Sequence, residues 1–325
     1  MSVTIGVDIA KLKFDVCILK SDGTKSNTEF NNNKSGFENL CRLLKNETEK
    51  YFALEATGIY GEALCQYLHM KGYSIFLLNP VQTKYYAKSM MKRSKTDKCD
   101  AHIIAQFLNH HKNQLIPWTP RSKSFNTIKN LYRCLQDINT DCRRIAGRIE
   151  ACIHTDQAGR AEALKYYQNQ RKFYDKQKEA IFKQLRLLIQ KDSEVKSQYD
   201  LLTSIPGIGE VTAIGLIANL PDISKFKCAK QLAAFAGLNP SINESGSSVR
   251  GLRSISKTGS KNLRNVLFMP ALVSKKYCKP MFSFAERIIK KGKKPKVAVV
   301  AVMHKLIRII FAVLRKGEKF NESMI

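Results

Sequence analysis

Alternating apolar and polar positions at the start of the chain predict β-structure. Residues 2–20 form two runs rich in Val and Ile around a short polar turn, and a third run covers Lys25–Phe30. This pattern predicts an antiparallel meander of three strands. Two further buried strands are predicted at Tyr51–Glu55 and Ser74–Leu78, and Asn79-Pro80 ends the second of them.

Helical periodicity lies between and after these strands. It predicts helices at Phe37–Lys45, Gly61–Met70 and Thr96–Asn109, the last with Thr96 as its N-cap. Strands first, followed by alternating helix and strand, are typical of an α/β domain with a mixed sheet. We therefore predict an α/β domain over residues 1–120.

The rest of the chain has a helical pattern. Residues 123–201 contain no proline, and Leu, Ile and Tyr recur there at helical spacing among charges. This predicts two long helices, antiparallel or coiled-coil, broken around Thr155–Gly159, and we interpret residues 121–200 as a structural spacer or dimer arm. Residues 201–325 are predicted to form a mainly α-helical domain interrupted by a loop rich in Gly and Ser.

The charge of the chain changes the functional picture. It carries 55 Lys and Arg against 27 Asp and Glu, a net charge of +28. Residues 250–325 hold 19 of these bases and 3 acids, so this third has a net charge of +16. A field of this sign concentrates polyanions, and contacts to phosphate release counterions. We therefore expect a nucleic-acid partner, with passive RNA or anionic-membrane binding as the alternative.

Cysteine usage and hydropathy indicate the compartment. The nine cysteines form no CxxC pair and none has zinc-finger spacing, which is typical of a reduced cytosolic chain. We expect no signal peptide, because Asp8 and Lys11 interrupt any apolar core. The apolar segment Val297–Leu314 contains His304, Lys305 and Arg308, so it is predicted to be an amphipathic core helix and not a membrane span. The predicted location is the cytoplasm, without a membrane partner.

Four acids in the first third are candidate metal ligands. Asp8 ends the first strand beside a glycine in GVDIAK, and Glu55 ends another strand in LEATGIY. Asp97 and Asp100 are three residues apart in KTDKCDA, on one face of a helical turn. Nucleases use such oxygen ligands to hold two Mg²⁺ or Mn²⁺ ions, one at the attacking and one at the leaving oxygen.

Each acid also has an ordinary structural explanation. An Asp at a strand end commonly forms a turn, and an Asp pair in a first helical turn complements the helix dipole. Two other acids are not counted as candidate metal ligands. Asp15 is expected to point outward from its strand, and Glu62 is expected to begin a solvated helix.

A second motif is the turn Ile205-Pro-Gly-Ile-Gly209. It looks like the turn of a helix–hairpin–helix, in which Gly207 and Gly209 let backbone N–H groups face a DNA phosphate without reading bases. The alternative is a tight turn between two helices with a purely structural role.

The third motif is the loop rich in Ser and Gly within residues 233–261. Ser245 lies beside Gly246 and could attack a phosphodiester if nearby cations stabilise the developing charge. On chemistry alone Ser247, Ser248 and Ser254 compete equally. The candidate phosphate-binding residues are Arg250, Arg253, Lys257 and Lys261 in this loop, and Lys290, Lys291, Lys293 and Lys294 in the basic loop KKGKKPK.

Together these motifs resemble one family, the IS110/IS1111-type or DEDD transposases. The matching stretches, in order, are GVDIAK, LEATGIY, KTDKCDA, SIPGIG, FAGLNP and ESGSSVRG. They cover about residues 1–110 and 200–310, whereas the helical middle carries no motif.

The resemblance implies a RuvC-like, RNase H-type N-terminal domain with Asp8, Glu55, Asp97 and Asp100 as its metal acids. It implies a C-terminal transposase domain with Ser245 as the catalytic serine, because that residue lies in the ESGSS motif. It also implies donor and target DNA as substrates, an element-encoded noncoding bridge RNA as guide, and assembly as a homodimer or homotetramer with composite sites.

The sequence thus predicts a transposase or recombinase that exchanges DNA strands. Two alternatives stay open at this point. One is a nuclease like a Holliday-junction resolvase that uses the acids and an activated water, and does not need Ser245. The other is a non-catalytic nucleic-acid-binding scaffold whose acids are structural.

Overall fold

The chain forms two compact units, Met1–Arg121 and Ser122–Ile325. The computed structural model describes residues 2–56, 58–90, 97–154, 159–241, 244–245, 249–250 and 254–322, with the backbone alone at positions 97, 98, 244, 245, 249, 250 and 254. Residues 122–200 share one hydrophobic core with the C-terminal helices, since Phe125 and Leu185 pack in the same cluster as Ile214 and Leu306.

The first unit is a mixed sheet of five strands in the order β3-β2-β1-β4-β5. β1 pairs antiparallel with β2, and β2 pairs antiparallel with β3. β4 pairs parallel with both β1 and β5. The predicted strands and mixed sheet are confirmed. The elements are β1 (Ser2–Ile9), β2 (Lys13–Lys20), β3 (Lys25–Asn31), α1 (Lys34–Leu43), β4 (Glu49–Glu55), α2 (Glu62–Met70), β5 (Ser74–Leu78), α3 (Pro80–Ser89) and α4 (Asp97–His111).

The central strands of this sheet are covered on both faces. On one face Val7, Phe14 and Phe52 are buried together with residues of α1 and α2. On the opposite face Cys17 packs with Ala101 and Ala105 of α4. Because successive side chains of a strand point to opposite faces, the two sets alternate along each strand.

Side-chain caps explain where two of the helices begin. Asn33 accepts a hydrogen bond from the Gly36 N–H, so α1 begins at Lys34, three residues before the predicted start. Asn79 accepts from the Val81 N–H, and Pro80 occupies the first turn of α3, a helix that the hydrophobic pattern did not predict. α4 begins at Asp97, close to the predicted start, whereas the predicted cap Thr96 lies outside the described residues.

The second unit begins with two long antiparallel helices. Arg160 donates to the Ala151 carbonyl at 2.9 Å, Arg148 lies 5.7 Å from the Tyr167 ring, and Ser122 donates to Asp192 at 3.4 Å. The paired residue numbers rise on one helix as they fall on the other, which confirms an antiparallel pair of helices. Coiled-coil packing stays a prediction. The elements are α5 (Lys123–Ile153), α6 (Arg160–Lys191), α7 (Ser193–Thr203), α8 (Glu210–Asn219), α9 (Ala229–Phe235), β6 (Pro240–Ser241), β7 (Glu244–Ser245), β8 (Val249–Arg250), β9 (Ser254–Ile255), α10 (Lys261–Tyr277), α11 (Lys279–Lys290) and α12 (Pro295–Lys316).

Helix α12 is the centre of this second core. Val302, Leu306, Ile310 and Val313 are fully buried along it, and the helix packs against α7, α9, α10 and α11. Within the described chain it is also the one helix with the length and hydropathy of a membrane span. Its packing is that of a core helix, as its polar residues predicted.

Candidate functional site

A glycine lets helix α4 lie directly on strand β1. A Cβ atom added to Gly6 would overlap the Ala101 carbonyl oxygen and the Ala105 nitrogen, and it would lie 2.9 Å from the Ala105 Cα. No side chain larger than hydrogen fits there without moving the helix. The glycine that precedes Asp8 in GVDIAK therefore allows a close backbone approach between strand and helix.

The direction of α4 across β1 places the acids. Thr4 near the start of β1 donates to Asn109 near the end of α4 at 3.5 Å, while Gly6 lies under Ala101 and Ala105. The helix thus runs antiparallel to the strand. Its first turn, residues 97–100, consequently lies at the end of β1 that carries Asp8.

Glu55 reaches the same edge from the neighbouring strand. In the parallel ladder Gly6 pairs with Ala53 and Val7 with Leu54, so Glu55 continues beside Asp8 on the same face of the sheet. The Thr83 hydroxyl of α3 donates to Glu55 Oε1. Asp8, Glu55 and Asp100 are all partly exposed.

The directions of β1, β4 and α4 place three of the four predicted acids, Asp8, Glu55 and Asp100, at one edge of the sheet. The described side chains contain no group of three His, Cys, Asp or Glu that could hold a metal ion. The fourth predicted ligand, the Asp97 side chain, lies outside the described residues.

The prediction that Asp15 points outward is wrong. Asp15 is only 5% exposed, and it is paired with Asp8 across the β1–β2 ladder. Direct antiparallel partners share a face, so Asp15 lies on the side of the sheet that α4 covers. The alternation of apolar and polar residues in β2 predicted an exposed Asp15 because the sequence does not reveal that both faces of this strand are covered. Glu62 is exposed in the first turn of α2, as predicted.

The two glycines of the turn between α7 and α8 have different surroundings. Gly207 has φ +91°, and a Cβ there would overlap the Ser274 hydroxyl of α10 and lie 2.9 Å from the Pro270 oxygen. Ser274 also donates to the Pro206 carbonyl at 2.6 Å, which fixes the turn on α10. Gly207 therefore has a packing role.

Gly209 is exposed and begins α8 without a side-chain cap, and a Cβ atom added to it would meet no other atom within 4 Å. The next residue, Glu210, forms a two-pronged ion pair with Arg186, with N–O distances of 2.5 and 2.8 Å. Hydrogen bonding from Arg186 lowers the pKa of Glu210 below its ordinary value. This pairing balances the carboxylate charge near the exposed start of α8.

The serine-rich loop is a nested pair of short hairpins. β6 pairs with β9, and within them β7 pairs with β8, so that the backbone of Ser245 lies opposite Val249 and that of Glu244 opposite Arg250. The side chains of Ser245 and Arg250, and the whole of Ser247, Ser248 and Arg253, lie outside the described residues.

The base of this hairpin pair is held by hydrogen bonds to backbone carbonyls, one from a backbone N–H and one from an arginine side chain. The Ser256 N–H donates to the Asn239 carbonyl at 2.8 Å, and Arg264 donates to the Ala236 carbonyl at 2.9 Å. Lys257, with φ +54°, and Lys261, at the start of α10, are exposed beside it. The base of the hairpin pair is therefore fixed by hydrogen bonds, and two exposed lysines lie beside it.

The basic loop between α11 and α12 is open to solvent. Lys290, Lys291, Lys293 and Lys294 are all exposed. Lys290 and Lys291 also line a shallow groove along α11 with Phe282 and Arg287. The arrangement suits contacts to a phosphate backbone.

These features define a class of protein before any comparison. One unit places carboxylates where strands of a mixed sheet meet a helix, and the other carries most of a strongly positive charge. Both are characteristic of an enzyme that acts on nucleic acid.

Comparison with known proteins gives the family. Residues 5–155 match a DEDD-type IS110 domain described as a transposase, and residues 199–285 match a domain described as transposase of the IS116/IS110/IS902 family. The chain is 34% identical to the pilin gene-inverting protein of Moraxella bovis over 331 residues, which covers 98% of each chain, and equally to that of Moraxella lacunata. It is 30% identical to the transposase of insertion element IS1111A from Coxiella burnetii over 54% of this chain and 43% of that one.

The chain belongs to the IS110 family of transposases. It is therefore a DNA transposase or recombinase, and DNA is its partner. The DEDD domain gives the first unit an RNase H-like fold, as predicted, and suggests divalent-metal dependence.

Proposed function

We propose that this recombinase cleaves and rejoins DNA strands with Ser245 as nucleophile and with a divalent-metal site built from Asp8, Glu55, Asp97 and Asp100. The main support for the proposed metal site is the crossing of α4 over β1 at Gly6. Because the helix runs antiparallel to the strand, its first turn lies at the edge that also receives Asp8 and Glu55.

The donor set suits Mg²⁺ or Mn²⁺. Both ions prefer oxygen ligands, and Mg²⁺ keeps several waters, so an open edge with partly exposed carboxylates fits them better than a closed cage. Such an ion would supply charge stabilisation at the reacting phosphate. The carboxylates of Asp8, Glu55, Asp97 and Asp100 are its proposed protein ligands.

The covalent chemistry is assigned to Ser245. Its Oγ attacks the phosphorus and loses its proton, a phosphoserine ester forms, and the P–O bond to one deoxyribose breaks as that oxygen takes up a proton. Attack by a second strand's hydroxyl reverses the same exchange. One phosphoester replaces another, so rejoining needs no external energy source. Arg250, Arg253, Lys257 and Lys261 are proposed to contact the phosphate, since they lie in the same loop or at its base.

The similarity to proteins named for inverting a pilin gene supports strand exchange over simple cutting. That match extends over nearly the whole of both chains. We propose conservative recombination, in which every cut strand is rejoined. The guide RNA and the assembly into dimers or tetramers stay predictions from the resemblance, as do the segment bounds 1–120, 121–200 and 201–325.

The metal site is tested by two isosteric substitutions. Asp8→Asn and Asp100→Asn should each abolish strand cleavage while the thermal midpoint stays close to that of the wild type, because amides bind Mg²⁺ poorly. Asp22→Asn is the matched control: Asp22 is an exposed turn residue whose carboxylate accepts from Thr24. Cleavage of labelled element-end DNA is measured with and without Mg²⁺. Wild-type rates in the Asp8 or Asp100 variant would refute the site.

A further inference from the structure

Helix α3, which packs against α4, buries a hydroxyl where a packed helix ordinarily buries an apolar side chain. Thr83 is the one residue of α3 that is fully covered, at 2% exposure. A buried hydroxyl is destabilising unless it makes a hydrogen bond. Thr83 Oγ1 has two acceptors within reach, Glu55 Oε1 and the Pro80 carbonyl oxygen at 3.1 Å.

The helix that carries Thr83 is fixed at both ends. Asn79 caps its start by accepting from the Val81 N–H at 3.0 Å. One turn beyond Thr83, the Tyr86 hydroxyl is 2.6 Å from His110 Nδ1, and its ring lies edge-on to Phe107 at 5.4 Å. These contacts hold α3 on α4. The Thr83 hydroxyl therefore approaches Glu55 from a defined direction.

A glutamate at a strand end needs such a partner to present one geometry. Its carboxylate is reached through three rotatable bonds, and Glu55 is only partly buried. Each carboxylate oxygen has two lone pairs, so Oε1 can accept from Thr83 and still leave lone pairs on both oxygens for another ligand. Hydrogen bonds of this kind orient metal-ligating carboxylates.

We propose that Thr83 is a positioning residue that holds Glu55 in the orientation in which it binds the divalent ion. The inference rests on the metal site proposed above. It assigns to α3 a role that none of the sequence motifs contains, since Thr83 lies outside GVDIAK, LEATGIY and KTDKCDA.

The test compares Thr83→Val, which keeps the shape and removes the hydroxyl, with Thr83→Ser, which keeps the hydroxyl. The full chain is titrated with Mn²⁺, and the free ion is followed by electron paramagnetic resonance. Loss of a partner of this kind typically weakens metal binding about 10- to 100-fold, so Thr83→Val should shift the Mn²⁺ midpoint by about that factor. Thr83→Ser should bind as the wild type does. The Mg²⁺ concentration for half-maximal cleavage should shift in parallel, with the rate recovering at high Mg²⁺.

A merely structural role gives a different pattern. Thr83→Val would then lower the thermal midpoint and the cleavage rate at every Mg²⁺ concentration, and its Mn²⁺ midpoint would match that of the wild type. That result overturns the proposal. If Thr83→Val does not fold, Thr83→Ala provides the same comparison without a branched side chain.

Glu55→Gln separates this inference from the metal site itself. If Glu55→Gln weakens Mn²⁺ binding and Thr83→Val does not, the metal site stands and the role of Thr83 is refuted. If the wild type binds no Mn²⁺, or Glu55→Gln binds as the wild type does, the proposed metal site fails and the inference fails with it.

Discussion

Gly6 determines how closely α4 approaches β1. The helix backbone occupies the space that any Cβ would need, and this contact begins at Ala101, the residue after Asp100. The two residue types therefore have linked roles: the glycine sets the position of the helix, and the aspartate is carried into place by it.

Gly6→Ala should be destabilising and should also reduce cleavage. Overpacking against fixed backbone costs about 1–3 kcal/mol and here requires α4 to move away from β1. Gly147→Ala is the matched control, because Gly147 lies in α5 with open space around it and should gain about 0.5–1 kcal/mol from the lost backbone freedom. Urea unfolding and the cleavage assay measure the two effects. Equal stability of the two variants would show that α4 is not seated on Gly6.

At the scale of single residues, the sequence predicts which side chains are candidate metal ligands better than it predicts what those side chains contact. Asp8, Glu55 and Asp100 lie at one edge because the first two are in the last residues of their strands and the third is in the first turn of a helix, and that pattern is visible in the sequence. The burial of Asp15 and the contact of Thr83 with Glu55 are not, since each depends on a helix packing from a distant part of the chain.

At the scale of elements, α8 carries the clearest test of the helix–hairpin–helix interpretation. Gly207 is not a suitable position for a substitution that tests DNA binding, because any side chain there would collide with α10. Gly209 is a suitable position, since it is the exposed N-cap residue of α8 and its backbone is extended.

Gly209→Asp should leave stability unchanged or slightly higher and should weaken DNA binding. Aspartate is a good N-cap, yet it places a negative charge where a phosphate would accept backbone N–H groups. Losing one charge-assisted hydrogen bond of about 1.5–3 kcal/mol predicts at least about tenfold weaker binding. Gly209→Asn is the neutral control of the same shape. Equal DNA affinity of the Asp and Asn variants in fluorescence anisotropy would favour the purely structural turn.

The elements themselves were largely predictable. All five strands and both long helices follow from periodicities of two and 3.6 residues. Helix α3 was not predictable from periodicity, because its exposed and covered positions differ little in hydropathy and its one covered residue is a threonine. Its signal is local: Asn79 as cap and Pro80 in the first turn, which also end the preceding strand.

At the scale of the whole molecule, charge is divided between the units. Residues 1–110 carry 15 bases and 11 acids, whereas residues 250–325 carry 19 bases and 3 acids. The second unit should therefore supply most of the affinity for nucleic acid, and the first unit most of the metal chemistry.

Replacing Lys290, Lys291, Lys293 and Lys294 with Ala should weaken DNA binding and flatten its salt dependence. Each lost phosphate contact removes about 0.7–0.9 from the log–log slope, so the decrease should reach up to about four. A matched variant replaces four exposed lysines of the first unit, Lys25, Lys34, Lys45 and Lys71. If both variants change the slope equally, the basic loop has no special place in binding.

The most direct test of the proposed chemistry is the search for a covalent protein–DNA species. Labelled element DNA is incubated with protein, Mg²⁺ and the RNA encoded beside the element, then separated under denaturing conditions. The wild type should give a labelled adduct that protease removes, and Ser245→Ala should give neither adduct nor cleavage while it still binds DNA. Ser247→Ala and Ser248→Ala should keep the adduct. Cleavage by Ser245→Ala, with no adduct from either protein, would contradict the account and favour a nuclease that uses activated water.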